Sequence, residues 1–397
     1  MDILKRFLSY VSIESTAGDE KESTCSDEKM LVLADKLLDE LQKLNPNEIA
    51  INQFGVIDAK FEGNSSKPMI ALLAHMDTSP SASDKDVKAS VVDYKGGDIK
   101  LNDSLSLTVK DFPTLNQAIG HQVIVTDGTT LLGGDDKAGI AIIMDALTSI
   151  IEGKENHRPL EIIFTTDEEI GADAKHVSLD NVASKYGYTV DGGDYKYLSI
   201  ESFTAYSMNV MVSGKSIHPG YAKDKLVNAS NVFIRFFNAL PEYLRPEHTE
   251  GREPFYHLCS FSGNEDGAKA EMIVRSFDDV QINQMLDLAR LSAKRINDSL
   301  GYEAITLDIK QSYRNMRVVL DKYPEIQKEI EGVYKALGLP YNYVAVRGGT
   351  TGSQLSFVGL PCPNIGTGDY NCHGRFEYVD LDEMKTMAKV VKLLMKA

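Results

Sequence analysis

A chain of 397 residues is too long for one ordinary hydrophobic core, so two domains are the starting expectation. Its hydrophobic fraction of 43% and charged fraction of 25% are those of a globular protein in water. A net charge of −16 disfavours nucleic acid and anionic membrane surfaces as partners, because like charges repel. The N-terminal MDILKRFLSYVS carries no signal-peptide pattern, and no stretch reaches the ~18 apolar residues of a membrane span. Cys25, Cys259, Cys362 and Cys372 are scattered, which argues for reduced thiols and a cytoplasmic location rather than a disulfide framework.

Residues 27–44 place apolar side chains at 30, 33, 34, 37, 41 and 44, the spacing of a helix. PMIALLA (68–74) is short and almost wholly apolar, as a buried central strand should be, and QVIVT (122–126) and EIIFTT (161–166) look similar. The polar segment 80–120 reads as loops with a hairpin at Gly96–Gly97. KAGIAIIMDALTSII (137–151) is apolar nearly all round and reads as a buried helix. This alternation implies an α/β layer fold with a mostly parallel central sheet. From 205 to 312 the order becomes strand, helix, two strands, long helix, strand, which is the ferredoxin-like βαββαβ arrangement. The remaining helix, short strand, glycine-rich loops and C-terminal helix are too few to fold alone. Residues 1–203 and 314–397 are therefore expected to form one discontinuous domain, with 204–313 inserted into it.

Five clusters carry chemistry, and each is read at the end of a predicted strand, where ligands of open α/β sheets gather. His75 and Asp77 sit at i and i+2, so a carboxylate can lie beside the imidazole and fix its tautomer. Gly133-Gly134-Asp135-Asp136 opens the buried helix; a carboxylate there can bridge two cations, and Asp136 also reads as a helix cap. Asp167-Glu168-Glu169 puts three acids after an apolar strand, which is costly unless a cation meets them. Neighbouring residues on a strand point opposite ways, so one glutamate can bind metal while the other moves protons. Asp191-Gly192-Gly193 is a carboxylate in a turn, and His373 is a lone histidine beside Cys372, a soft ligand without a C-x-x-C partner. Singly, each cluster has a plain structural meaning. Jointly, His, Asp, Glu, Asp and His make a mixed nitrogen and oxygen set that suits zinc, with cobalt or manganese as alternatives.

In this order, AHMDTSP, YKGGDIKL, TDGTTLLGGDDKAGIA, FTTDEEIG, YTVDGG, HPG, FYHL, RGGT and QLSFVGLPCPN resemble the M20 metallopeptidases over essentially the whole chain. The resemblance implies a zinc-peptidase catalytic domain with the ferredoxin-like domain as its lid, and two zinc ions per subunit. It implies that His75 and Asp191 hold one zinc, that Glu169 and His373 hold the other, and that Asp135 bridges them across a peptide often cis in such sites. Asp77 would orient His75, and Glu168 would be the general base toward a metal-activated water. His218 resembles the lid histidine that steadies the oxyanion, in some relatives across a homodimer interface. Arg275, Arg347 and Asn315 become candidates for gripping the substrate carboxylate. Thr351 stands where the family carries an acidic residue after RGGT, and Cys372 where it carries an aromatic, which bears on how strictly tripeptides are selected. The implied activity is release of the N-terminal residue from short peptides, probable tripeptides among them. Its rivals are other M20 activities (dipeptidase, carboxypeptidase, N-acyl-amino-acid deacylase) and a metal-binding module without catalysis, which would have no need of Glu168.

Overall fold

A computed structural model describes residues 1–396. By their contacts they fall into two units: Met1–Ile200, Met316–Val344 and Thr350 onward in the first, Glu201–Asn315 with Ala345–Gly349 in the second. All four cysteines are free thiols, and no helix among the described residues is long and apolar enough to cross a membrane.

The first unit is built on an eight-stranded sheet, in the order Glu48–Ile51, Ile57–Phe61, Leu160–Thr165, Ile70–His75, Gly187–Val190, Asn364–Ile365, Tyr197–Ser202, Asn342–Val346. Its centre is parallel: Ile70–His75 pairs in parallel with Leu160–Thr165 and with Gly187–Val190, which pairs in parallel with Asn364–Ile365. Antiparallel pairs flank that centre. Every residue of the three long central strands is buried. That is why they read as continuous apolar runs rather than alternating ones; each buried Leu, Ile or Phe contributes roughly 1.5–3 kcal/mol. The helix Gly134–Glu152 is apolar all round because it too is enclosed, by the sheet and by the helices Ile3–Val11 and Leu381–Met395.

The register sets the working end. His75 lies abreast of Thr165, so the residues following both strands emerge together at the carboxyl edge. Asp191 leaves the neighbouring strand at the same edge, its N–H donating to the Ile365 carbonyl at 3.0 Å.

Gln122–Val125 corrects the expectation. It is buried, but it belongs to a separate antiparallel sheet, in the order Asp369–Tyr370, Tyr378–Asp380, Gln122–Val125, Ser90–Asp93. An apolar run reports burial, not which sheet is joined. The hairpin expected at Gly96–Gly97 lies further on: Ile99–Lys100 pairs with Ser106–Leu107, while the two glycines, at φ 104° and 85°, only turn the chain into it. Within the stretch read as glycine-rich loops, Thr351–Val358 is a helix. Thr350 caps it in a reciprocal box with Ser353, and Gly359 ends it at φ 116°.

The second unit holds strands Thr204–Ser213, Phe255–Gly263, Gly267–Ser276 and Ile305–Tyr313, with helices Ala229–Ala239 and Asp279–Leu300. Chain order is βαββαβ, and the first strand lies between the third and the fourth. The short segment Ala345–Gly349 joins this unit, although the chain around it returns to the first. Arg347 accounts for that. Its guanidinium donates to the carbonyls of Gly251 (2.7 Å) and Glu253 (3.0 Å) and lies over the rings of Phe203 and Phe255.

Gly139 tests how tightly the first unit is packed. A methyl group there would run into the Val190 carbonyl oxygen and the Asp136 carboxylate, whereas at Gly332, inside helix Pro324–Ala336, nothing lies within 4 Å. Thermal unfolding should show Gly139→Ala losing about 1–3 kcal/mol or more. Gly332→Ala should gain about 0.5–1 kcal/mol. Equal effects would contradict the packing described.

Candidate metal centre

Asp135 is the hub. Its Oδ1 lies 2.9 Å from His75 Nε2, and its Oδ2 lies 3.2 Å from His373 Nε2. On the first side, Asp191 Oδ1 is 3.9 Å from the same His75 nitrogen. On the second, Glu169 Oε1 is 3.1 Å from His373 Nε2. One carboxylate thus faces two imidazoles with each oxygen, and each imidazole has a further acid beside it.

Each residue arrives by a different route. His75 ends a central strand and is buried. Glu168 and Glu169 lie in the turn after Leu160–Thr165, and Asp191 directly follows Gly187–Val190. Asp135 is not at a strand end; it sits where the chain turns into helix Gly134–Glu152, after Gly133 at φ 82° and before a cis peptide to Asp136. His373 is carried by the hairpin Asp369–Tyr370/Tyr378–Asp380, itself at φ 67°. An isolated bridge between Gly193 and Asp369 links that hairpin to the Asp191 turn.

Two neighbouring acids work largely through backbone groups. The nearest Asp77 atom to His75 Nδ1 is the backbone carbonyl, at 2.9 Å, with the carboxylate at 3.6 Å. The Asp77 carboxylate accepts instead from the backbone N–H groups of Glu168 (3.1 Å) and Glu169 (3.0 Å), so it holds the acidic turn as well as the histidine. Asp136 is a cap. Its oxygens accept from the N–H groups of His75 and Gly139.

Glu377 gave no signal in the sequence. Fully enclosed, it accepts the N–H groups of Leu132 (2.6 Å), Gly133 (2.8 Å) and Asp135 (3.1 Å), which fixes the loop that presents Asp135. Burial pushes its carboxyl up to about 7. Asp173 was also missed: it is fully buried, and burial pushes it up to about 6.

The electrostatics call for cations. Burial pulls the His75 imidazole down, but the hydrogen bonds and charges of Asp135 and Asp77 outweigh it and hold it well above its ordinary range. The Asp135 and Glu169 carboxylates beside it push His373 up to about 10. Burial would raise Asp135, yet the bonds from His373 and His75 hold it far below the usual carboxylate range. Asp191 and Glu169 are pushed up, first by burial and then by the other acids. Glu169 is 4% exposed, and its Oε1 lacks a properly directed hydrogen-bond partner among the described residues. Orphaned acid oxygens converging with two imidazoles are a costly arrangement for a protein alone and a fitting one for divalent cations. Donor atoms of His75, Asp135 and Glu169 lie within 4.8 Å of one another, as do those of Asp135, Cys372 and His373.

The four substrate-end candidates all belong to the second unit. His218 is exposed, its Nδ1 accepting from Gly220 N–H. Arg275 lies over the Tyr313 ring with its Nε buried and unpartnered among the described residues, and burial lowers it to about 10. Arg347 bonds to the backbone of its own unit, as above. Asn315 is buried, accepting from Ser202 N–H and donating to the Phe277 carbonyl. Of the four, Arg347 and Asn315 have evident structural work to do.

The sequence profile of peptidase family M20/M25/M40 matches residues 125–397. A protein named peptidase T from Geobacillus sp. (strain WCH70) is 40% identical over 402 residues, covering 100% of this chain and 98% of its own length. The solved structure of a tripeptidase from Staphylococcus aureus subsp. aureus Mu50 matches with a TM-score of 0.79 at 21% identity, covering 99% of this chain and 97% of that one. A Bacillus subtilis protein described as a dinuclear metal binding peptidase from the M20 family matches with a TM-score of 0.62 at 12% identity, covering 99% and 98%. Below a quarter identity such matches speak to the fold.

Two outcomes follow from the geometry. Both imidazoles must be neutral to bind a cation, and the acids beside them favour the protonated form of each. Zinc titration of chelator-treated protein, in buffers of different ionisation enthalpy, should therefore report at least about two protons released, with affinity rising as pH rises toward 10. No proton release would contradict the site. Glu377→Gln would set an amide donor against backbone donors. Metal affinity in a chelator competition should fall by about 10–100-fold, with circular dichroism unchanged.

Proposed function

The chain belongs to peptidase family M20/M25/M40, and from that premise we propose that it is a metal-dependent aminopeptidase of the peptidase T kind, releasing the N-terminal residue of tripeptides. The observation that carries the reading is Asp135, with one oxygen toward His75 and the other toward His373. Such a carboxylate suits two divalent ions. His75 and Asp191 would hold one, His373 and Glu169 the other, and Asp135 both. Zinc is the proposed ion, by the balance of nitrogen and oxygen donors, with cobalt or manganese as substitutes. When bound, such ions acidify water and polarise a carbonyl.

The chain's own groups supply the rest. Glu168 shares the turn with Glu169, and Asp77 holds both backbones. Burial pushes the Glu168 carboxyl well up, His75 opposes that, and Asp173, Asp191 and Glu169 add to it. A carboxylate whose proton affinity is raised is suited to take a proton from the attacking water and return it to the departing amine nitrogen. In the second unit, His218 and Arg275 are the proposed contacts for the oxyanion and the substrate carboxylate, Arg275 because its guanidinium retains an unpartnered N–H. The same reading proposes that 204–313 serves as the lid of a cytoplasmic enzyme, with a homodimer as one way of completing the site.

Glu168→Ala should leave zinc content, measured by mass spectrometry of the metal, unchanged, while turnover falls by about 10²–10⁴-fold or more. Unaltered turnover would remove the residue from this role. In the same assay a free tripeptide should be cleaved far faster than its acetylated form or the matched tetrapeptide. Preference for the acetylated form would point to a deacylase instead.

A further inference from the structure

Beside the second donor set lies a thiol that the reaction does not use. Cys372 Sγ, a carboxylate oxygen of Asp135 and a ring nitrogen of His373 all lie within 4.8 Å of one another. The hairpin aims it there: Asn371 and His373, on either side, both take left-handed backbone angles, φ 56° and 67°. The other three cysteines are not grouped with such donors among the described residues.

A second observation marks the same spot as a place for a cation. Glu169 is almost completely buried, and its Oε1 lies 3.1 Å from His373 Nε2, yet outside hydrogen-bonding geometry. Asp369, three residues before Cys372, is also buried with neither oxygen hydrogen-bonded among the described residues. Acids left unsatisfied around a thiol make a pocket that favours positive charge.

We propose that Cys372 is a sulfur ligand to the cation held by Asp135, Glu169 and His373, so that one of the two metal positions in this protein is softer than the other. On binding, the thiol proton is exchanged for the cation and released to solvent, and a metal–sulfur bond forms without any change of oxidation state. A thiolate at one position favours zinc and cadmium there over manganese, while the position of His75 and Asp191 keeps nitrogen and oxygen donors alone. This rests on the metal centre read above, and it adds a ligand which that reading does not need.

The test is cobalt(II) added to chelator-treated protein. Visible bands report cobalt in the site, and an intense near-ultraviolet sulfur-to-cobalt charge-transfer band reports a thiolate ligand. The wild type should show both. Cys372→Ser should keep the visible bands and lose the near-ultraviolet one, and Cys259→Ser, which alters the other exposed cysteine, should keep both. In competition titrations, Cys372→Ser should lose at least about tenfold more affinity for cadmium than for manganese. Visible bands without the charge-transfer band in the wild type, or a charge-transfer band that survives in Cys372→Ser, would overturn the sulfur ligand and leave the metal centre standing. Absence of any cobalt spectrum would overturn both.

Discussion

A carboxylate shared between two imidazoles has to be held still, and much of the first unit is arranged to hold Asp135. Its two oxygens face nitrogens on opposite sides, 2.9 and 3.2 Å away, so a rotation that improves one contact spoils the other. The restraint comes from the backbone. Glu377 gathers three N–H groups of the loop, Gly133 supplies the left-handed turn, and the buried helix behind it leaves no room to retreat. Glu377 also lies on the hairpin that carries His373, so a single side chain ties the hub to one of its partners. Metal sites depend on such outer contacts as much as on the ligands themselves.

The parallel centre of the sheet does complementary work. Because His75 and Thr165 are in register, the segments that follow them leave side by side, and the Asp77 carboxylate can reach the N–H groups of both Glu168 and Glu169. Had the strands been offset by one residue, every side chain would have changed faces. Asp77 thereby joins the first donor set to the second through the backbone, while its carbonyl fixes the ring of His75. Burial of all three strands makes this edge rigid, which is what a site on loops otherwise lacks.

How legible this was depended on where each residue's signal resides. His75, Glu169 and Asp191 stand at or soon after the ends of apolar strands, so their shared position, rather than any one cluster, marks them. Asp135 showed through its glycines and the apolar helix behind it, although its true position is a helix entrance. His373 had only the family resemblance, because its hairpin is held by Tyr378–Asp380 pairing with Gln122–Val125, far away in sequence. That same distant pairing is why QVIVT read like a strand of the main sheet. Glu377 left no trace, since its partners are backbone groups some 245 residues earlier. Thr351–Val358 read as a loop because glycine and threonine dominate its start, and its capping box is a serine version of the usual glutamate one. The hydrogen bonds described above for Arg347 and Asn315 lie within their own unit, which their motifs alone did not signal.

Thr351 shows how a departure in sequence can leave the local chemistry in place. Read along the chain, threonine after RGGT removes an acid from the neighbourhood of the catalytic turn. In space its helix packs against the short helix that carries the buried carboxylate of Asp173, four residues beyond Glu169. Among the acids acting on Glu168, Asp173 ranks ahead of Asp191 and Glu169. An acid therefore still stands behind the proposed base, with its charge directed at the same group. The field that raises a general base is set by distance and burial, not by which residue supplies the carboxylate. An acid lost from one stretch of a motif thus need not be lost from the site.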